Sequence, residues 1–202
     1  MDPQLKRQVA IKTLHLHLSK NGDRQRRLIQ EAKTVGRLQH PNIIAVYEAG
    51  EFSGSPYLVF EFVDGQSLGD IIKSEGPFLA HRAVNIMRQV LEGVAYAHRQ
   101  GIVHRDMNPN NILISRNDIP RITDFGISIM TQGEDNRGND LSGTPCYKSP
   151  EHFSGTPIGP WSDLFSLGLI FYEMLVGRPA VHADNDNTVM NKIVTEAVPA
   201  PS

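Results

Sequence analysis

The order of predicted elements along the 202-residue chain indicates an α+β fold. Short apolar stretches typical of strands occur mostly before residue 63, whereas longer segments with apolar residues at helical spacing occur mostly after it. Hydrophobic residues make up 40% of the chain, which is enough for a sizeable core. We therefore expect a small sheet-rich part followed by a larger helical part.

The predicted strands are short and separated by turn residues. Residues 8–12 (QVAIK) have the apolar character of a buried strand, and residues 43–47 and 57–62 predict two more strands joined by a turn. Two further short strands are expected over residues 112–114 and 121–123. The first three belong to the sheet-rich part, and the last two lie in a loop-rich region between helices.

Three helices are predicted from periodic apolar positions. The first follows a turn at residues 21–23 and runs to about residue 36. The second covers residues 83–99 and ends before Gly101, a residue suited to terminating a helix. The third begins at Asp163 and is strongly apolar through residue 177, yet it is too short to span a bilayer. We expect the third to be buried.

Charge and cysteine content exclude several classes of function. The net charge is -2 and the pI is about 6.4, which argue against a nucleic-acid groove or a polybasic membrane face. Cys146 is the single cysteine, so an internal disulfide is excluded and a reducing compartment is favoured. The first residues lack the apolar core of a signal peptide. We expect a cytoplasmic domain, whether or not the whole protein is anchored to a membrane.

Two charged residues occupy apolar positions. Lys12 ends the first predicted strand, and Glu31 shares a helix face with apolar residues. A buried charge is costly unless it is paired, so each residue could neutralise the other. An ordinary amphipathic helix beside an ordinary strand-end lysine explains the two residues equally well.

A polar loop at residues 104–111 (HRDMNPNN) lies between two apolar segments. Rigid apolar frames of this kind commonly hold reactive groups in place. Asn111 and, thirteen residues later, Asp124 carry oxygen ligands that suit Mg²⁺. Turns stabilised by Asn and Asp side chains would explain either segment alone. The two segments at this spacing favour a site instead.

The ordered motifs resemble those of a eukaryotic-type (Hanks-type) Ser/Thr protein kinase catalytic domain, most similar in wording to bacterial members. The resemblance covers nearly the whole chain. It implies a two-lobed protein-kinase-like fold, with an incomplete sheet-rich N-lobe over about residues 1–62 and a truncated helical C-lobe over about residues 63–202. The motifs are V-A-I-K at 9–12, the helix residue Glu31, H-R-D-x-x-x-x-N at 104–111, D-F-G at 124–126, the G-T to S-P-E segment at 143–151, and S-D-L-F-S-L-G at 162–168.

The resemblance implies transfer of the γ-phosphate of ATP to Ser or Thr hydroxyls of protein substrates, with Mg²⁺ as the metal. Asp106 would accept the proton of the attacking hydroxyl. Lys12, held by Glu31, would bind the α- and β-phosphates. Asn111 and Asp124 would bind the metal.

Other roles also follow from the resemblance. The Glu61 carbonyl and the Val63 N–H would bind adenine, which Ala10 and Leu113 would sandwich, and Thr144 would belong to the catalytic and peptide-binding segment. His104 and Phe125 would stack with Val35 and Val46 as a spine between the lobes. Glu151 would pair with an arginine from a late helix, which we expect to lie beyond this sequence. The remaining structural or regulatory residues are Arg105, Gly126, Asp140, Ser142 and Asp163.

Asp140 has two interpretations. It precedes Thr144 by four residues, near the position where many kinases carry an activating phosphate, and could stand in for that phosphate opposite Arg105. A solvated acid on a polar loop is the simpler explanation. Ser142 is a candidate phosphorylation site in the same segment.

Two departures from the family pattern affect the expected activity. Asn108 stands where the family has a lysine, so a cation is missing beside the transferred phosphate. No G-x-G-x-x-G precedes Lys12, and we expect a piece of a longer gene product that binds ATP poorly when made alone. A pseudokinase that only binds nucleotide or a partner is therefore an alternative. The small-molecule kinases of related fold are disfavoured by the segment at 144–151.

Overall fold

The computed structural model describes residues 7–13, 32, 34–53, 55–125, 145–183 and 185–201. Within these residues, two antiparallel three-stranded sheets are combined with helices that lie mainly in the later part of the chain. The predicted α+β class is confirmed.

The first sheet consists of β1 (Val9–Thr13), β2 (Val46–Phe52) and β3 (Ser55–Glu61), with β3 in the centre. Burial alternates along β3, where Leu58 and Phe60 turn inward. They pack with Ala32 and Ile44 in a small apolar cluster, which we call the upper cluster. The sheet therefore has one covered face, as strand periodicity requires.

The strand at β1 was predicted correctly, but its predicted burial was wrong. Val9 is half-buried and the other residues of β1 are exposed, including Ile11 at 64%. Among the described strands, β1 pairs only with β3 and so forms an edge of the sheet. An apolar sequence does not guarantee burial at an edge, because burial depends on what packs against the strand.

The second sheet consists of β4 (Gly65–Ser67), β5 (Ile112–Ser115) and β6 (Pro120–Ile122), with β5 in the centre. The two strands predicted after the polar loop are thus confirmed. The strand predicted over residues 43–47 begins only at Val46. Ile43 instead bridges to Ile122, and the Ile44 N–H donates to the Ile122 carbonyl at 2.9 Å, so this segment connects the two sheets.

The helices have well-defined ends. They are α1 (Leu68–Glu75), α2 (Ala80–Arg99), the short α3 (Glu151–Ser154), α4 (Pro160–Val176) and α5 (Asp186–Thr195), with 3-10 turns at Pro109–Asn111 and Pro145–Tyr147. The predicted stop at Gly101 is confirmed by its positive φ of 74°. α4 begins at Pro160, before the predicted Asp163. Proline is tolerated there because the N–H groups of a first helical turn have no partner within the helix.

The first predicted helix lies mostly outside the described residues, although residues 32, 34 and 35 are helical. None of the helices in the described ranges is long and apolar enough to cross a membrane.

The main core lies between α2, α4 and the second sheet. Ile86, Val90 and Val94 form the inner face of α2 and are fully buried. Ile170 of α4 and Ile112 of β5 are equally inaccessible. The polar loop at 104–111 connects α2 to β5, so both of its ends continue into elements that contribute fully buried residues to this core.

Candidate active site

The loop at 104–111 folds its polar side chains around Asp106. Asn108 and Asn111 both donate from their amide nitrogens to the Asp106 carbonyl, at 3.0 and 2.8 Å. The Asn108 side-chain oxygen accepts from the Asn110 N–H at 3.0 Å and begins the 3-10 turn. The short amide side chains of Asn108 and Asn111 fit these hydrogen bonds, which together fix the backbone of Asp106.

Asp163 of α4 anchors the start of the loop. Its carboxylate is fully buried and accepts from the His104 N–H at 2.9 Å and from the Arg105 N–H at 2.8 Å. Arg105 has a φ of 69°, a left-handed conformation that is strained for a side chain with a Cβ. The two hydrogen bonds to Asp163 stabilise this conformation.

A third group, His98 of α2, reaches the same carboxylate, with Nε2 at 2.7 Å from Asp163 Oδ2. Burial alone would raise the pKa of Asp163, but the hydrogen bond from His98 and the His104 and Arg105 contacts hold that pKa below its usual value. Asp163 therefore stays ionised and keeps both loop N–H groups bound.

His104 connects the loop to the segment that carries Asp124. Its Nδ1 accepts from the Asp106 N–H at 3.3 Å, so the hydrogen lies on Nε2, which donates to the Thr123 carbonyl at 2.8 Å. Its ring centroid is 4.7 Å from that of Phe125. The buried imidazole thus fixes the spacing between the loop and residues 123–125.

Asp124 lies beside Asn111 and Lys12. The Thr123 N–H donates to the Asn111 carbonyl at 3.0 Å, which brings the two predicted metal ligands together. Lys12 Nζ is 2.9 Å from Asp124 Oδ2. Asp124 has a φ of 64°, so its carboxylate is presented by a left-handed backbone. The structure therefore joins the strand lysine, the amide and the carboxylate that the sequence separates by up to 112 positions.

Burial raises the pKa of Asp106 above its usual value, while electrostatic interactions with its surroundings and the hydrogen bond from Asn111 act in the opposite direction. A carboxylate with a raised pKa is a better proton acceptor than an exposed one, because the pKa of a general base should approach the working pH. The predicted role of Asp106 as a general base is consistent with this environment.

The four residues predicted to form a spine lie near one another. Val35, Val46 and Phe125 line one cavity together with Asp124. His104 closes the stack through its contact with Phe125.

The predicted adenine-binding residues surround the end of β3. Leu113 and Val63 pack against the upper cluster that contains Phe60, and Ala10 pairs with Phe60 across the sheet. The Glu61 N–H donates to the Ala45 carbonyl at 3.0 Å, and the Glu61 carboxylate pairs with Arg121. These contacts hold the start of the segment from Glu61 to Val63 against both sheets.

Glu151 accepts a hydrogen bond from α4, and its expected pairing with a later arginine stays a prediction. Its Oε1 accepts from Ser162 Oγ at 2.6 Å. Burial acts to raise the pKa of Glu151, yet the hydrogen bond from Ser162 and further contacts hold it below the usual value. The S-P-E segment is therefore connected directly to the first turn of α4.

Several predicted residues lie outside the described part of the chain, and their expected roles stay predictions. They are Glu31, Gly126, Asp140, Ser142 and Thr144.

Sequence reasoning missed His98 and His152. His152 Nε2 is 3.0 Å from the Arg105 carbonyl, and its Nδ1 is 2.8 Å from Ser149 Oγ. His152 thereby joins the segment at 145–151 to the loop. The sequence signalled neither residue beyond its being a histidine near a recognised motif. Asp163, the partner of His98, and Arg105, the partner of His152, are distant in sequence.

Within the described residues, no group of three or more His, Cys, Asp or Glu side chains could hold a metal by itself. Asn111 and Asp124 still fit Mg²⁺, because this ion usually takes one or two protein oxygen ligands and completes its shell with phosphate and water. The Asn111 amide nitrogen donates to Asp106. This contact directs the amide oxygen of Asn111 away from Asp106 and leaves it for a cation.

A family model described as the protein kinase domain matches residues 2–200. The chain belongs to the protein kinase family. Among curated relatives, it is 36% identical over 208 residues to the serine/threonine-protein kinase PknB of Mycolicibacterium smegmatis, covering 100% of this chain and 33% of that protein.

Two other kinase relatives have similar sequence identity to this chain. A probable serine/threonine-protein kinase, SCO3848, of Streptomyces coelicolor is 37% identical over 213 residues, with 100% of this chain and 31% of that protein covered. A probable serine/threonine-protein kinase, pknA2, of Bifidobacterium longum is 36% identical over 204 residues, covering 99% and 27%. The chain thus spans about a third of the length of the relatives it matches.

Proposed function

We propose that the protein transfers the γ-phosphoryl group of ATP to Ser or Thr hydroxyls of protein substrates. The observation that carries this proposal is the meeting of Lys12, Asp106, Asn111 and Asp124 at one place, joined by the hydrogen bonds and the ion pair described above. Similarity to named serine/threonine-protein kinases supports the choice of Ser and Thr over other acceptors.

In the proposed reaction, the substrate hydroxyl oxygen attacks the γ-phosphorus and its proton passes to the Asp106 carboxylate. The new O–P bond forms as the bond from the γ-phosphorus to the β,γ-bridging oxygen breaks, and ADP leaves with that electron pair. Asp106 suits this role because burial raises its pKa and because Asn108 and Asn111 fix its backbone. The chain contributes mainly position and charge, as in other phosphoryl transfers.

Lys12 binds the α- and β-phosphates, with Glu31 as its partner in the active arrangement. The ion pair between Lys12 and Asp124 supports this, since it keeps the ammonium at the site and leaves it exchangeable. When bound between Asn111 and Asp124, Mg²⁺ neutralises charge on the β- and γ-phosphates. The Glu61 carbonyl and the Val63 N–H bind the adenine edge, and Ala10 and Leu113 cover its two faces.

Phosphoryl transfer by the intact gene product to a Ser- and Thr-containing protein substrate, followed with labelled ATP, tests the proposal. We expect Asp106→Asn to reduce transfer by at least about 100-fold, since it removes the proton acceptor. Asp124→Asn should cause a similar loss and should also weaken the dependence of nucleotide binding on Mg²⁺. Arg116→Gln, which alters an exposed ion pair with Asp64, is the control and should leave transfer unchanged.

Nucleotide binding without any transfer by the wild type would favour the pseudokinase alternative. Transfer that persists in the folded Asp106→Asn variant would contradict the role of Asp106.

A further inference from the structure

Two histidines bind the peptide group that joins Arg105 to Asp106. The Arg105 carbonyl lies 3.0 Å from His152 Nε2, and the Asp106 N–H donates to His104 Nδ1 at 3.3 Å. A carbonyl oxygen can only accept, so a hydrogen of the His152 ring lies on Nε2. The orientation of this peptide group determines the direction in which the chain enters Asp106, the proposed general base.

The other ring nitrogen of His152 is held as well. Its Nδ1 lies 2.8 Å from Oγ of Ser149, a fully buried residue. Burial lowers the pKa of His152, so the ring is uncharged near neutral pH and Nδ1 accepts from the serine hydroxyl. The His152 N–H also donates to the Ser149 carbonyl at 3.0 Å. Ser149 therefore fixes both the tautomer and the orientation of the ring that binds the Arg105 carbonyl.

The backbone at Arg105 depends on such contacts because it is strained. Its φ of 69° is left-handed, and its N–H donates to the buried Asp163 carboxylate at 2.8 Å. His152 holds the other side of the same residue through the carbonyl. Without that contact, the peptide group after Arg105 could rotate and move the Asp106 carboxylate. A misplacement of about 1 Å at a reacting group can lower a rate about 100-fold.

His152 brings a different part of the chain to this peptide group. Asp163 belongs to α4 and His104 to the loop itself, whereas His152 lies on α3. α3 is in turn bound to the start of α4, because Ser162 Oγ donates to Glu151 Oε1 at 2.6 Å. The contact from His152 therefore connects the position of α3 to the orientation of the loop that carries the proposed base.

We propose that His152 is a positioning residue for phosphoryl transfer, which keeps the Asp106 carboxylate directed at the substrate hydroxyl by binding the Arg105 carbonyl. This inference rests on the proposed function and assigns to it a residue on α3. His152 acts through the backbone and contacts neither nucleotide nor substrate. Its loss should therefore lower kcat and leave the KM for ATP unchanged, since Lys12 and the segment from Glu61 to Val63 stay in place.

Two variants with side chains of similar length separate the hydrogen bond from the space that the ring fills. In His152→Gln, an amide N–H can still reach the Arg105 carbonyl, whereas His152→Met has no donor. In the intact gene product, we expect kcat to fall about 10-fold or more in His152→Met and to stay within about threefold of wild type in His152→Gln. The KM for ATP should be unchanged in both. Where His152→Met does not fold, His152→Asn, whose amide is too short to reach the carbonyl, takes its place.

Two control variants exclude a general effect of stability. Ile86→Val shortens a fully buried side chain of α2 and should lower the melting temperature without changing kcat. His81→Asn replaces an exposed histidine at the start of α2 and should change neither. If His152 only stabilised the fold, kcat would follow the melting temperature across these variants, and His152→Gln would have no advantage over an equally stable His152→Met.

Amide hydrogen exchange followed by NMR tests the same contact without turnover. We expect faster exchange at the Arg105 and Asp106 N–H groups in His152→Met, beyond any change at the core of α2, and protection restored in His152→Gln. A wild type without transfer but with this exchange pattern would support the inference while contradicting the proposed function. Unchanged exchange in folded His152→Met, or a wild-type kcat in that variant, would overturn the inference.

Discussion

The loop around Asp106 and the strand that carries Lys12 hold their polar groups in opposite ways. Residues 104–111 lie between fully buried elements, and Asp163 and His104 fix them through several hydrogen bonds. Lys12 extends from β1, an edge strand with mostly exposed residues, and its side chain is 44% exposed beside Asp124. The loop with the proposed catalytic groups is thus held by buried hydrogen bonds, whereas the proposed phosphate-binding lysine lies on a less constrained element.

This difference predicts how strongly substitutions in the two regions change the free energy of unfolding. Substitutions in the buried frame should lower the free energy of unfolding strongly, whereas substitution of Lys12 should mainly affect nucleotide binding. The expected loss of stability therefore decreases from Asp163 to His152 to Lys12.

Asp163→Asn should cause the largest loss, about 1.5–3 kcal/mol in the free energy of unfolding, because an amide oxygen cannot replace both oxygens of the carboxylate as acceptors. One of the His104 and Arg105 N–H groups would lose its charged acceptor. Chemical denaturation measures the change. Asp118→Asn, in an exposed ion pair with Arg82, is the matched control and should cost about 0–1 kcal/mol. Equal losses in the two variants would contradict the rigid frame.

His152→Gln should cause an intermediate loss, about 0.5–1.5 kcal/mol near neutral pH, because hydrogen bonds to the Ser149 hydroxyl and the Arg105 carbonyl are disturbed. The loss should also depend on pH. Burial lowers the pKa of His152 below 6.5 in the folded state, so the unfolded state binds a proton first as the pH falls.

The stability contributed by His152 is therefore complete above about pH 6.5 and decreases as the pH falls toward its folded pKa. Urea unfolding at about pH 7.5 and about pH 5.5 should show the difference between wild type and His152→Gln shrinking at the lower pH. A difference that grows at the lower pH would show that folding raises the pKa of His152 instead.

Lys12→Met should have the smallest effect on stability, about 0.2–1 kcal/mol, because an exposed ion pair contributes little. The same variant should lose most of its phosphoryl transfer and its affinity for ATP. Parallel unfolding and nucleotide-titration experiments separate the two effects. A large destabilisation with unchanged ATP affinity would remove the distinction between the rigid loop and the exposed strand.

Much of the site could be predicted because it depends on short, ordered motifs. Asp106, Asn111 and Asp124 stand out in sequence, since polar residues between apolar strands need a reason to be there. The fold class followed from the order of strands and helices in the same way. Local chemistry was sufficient wherever the partner of a residue lies in the same motif or at a known spacing.

The burial of β1 and the partner of Glu151 required the tertiary structure. Val9–Thr13 has the apolar sequence of a covered strand, yet it lies at a sheet edge among the described strands. Glu151 accepts a hydrogen bond from Ser162, eleven positions away, a contact that no sequence pattern indicated. Sequence patterns describe a residue's own preference for burial or pairing, but neighbours brought by the fold decide whether that preference is met.

The sequence by itself determined which groups could perform phosphoryl transfer and that position 108 lacks a cation. The tertiary structure alone decided that His152 joins two segments 47 positions apart, through its contact with the Arg105 carbonyl at 3.0 Å. A histidine shortly after a Pro-Glu pair carries no sequence signal of such a partner. Electrostatic interaction depends on distance in space, and that distance is set only when the chain has folded.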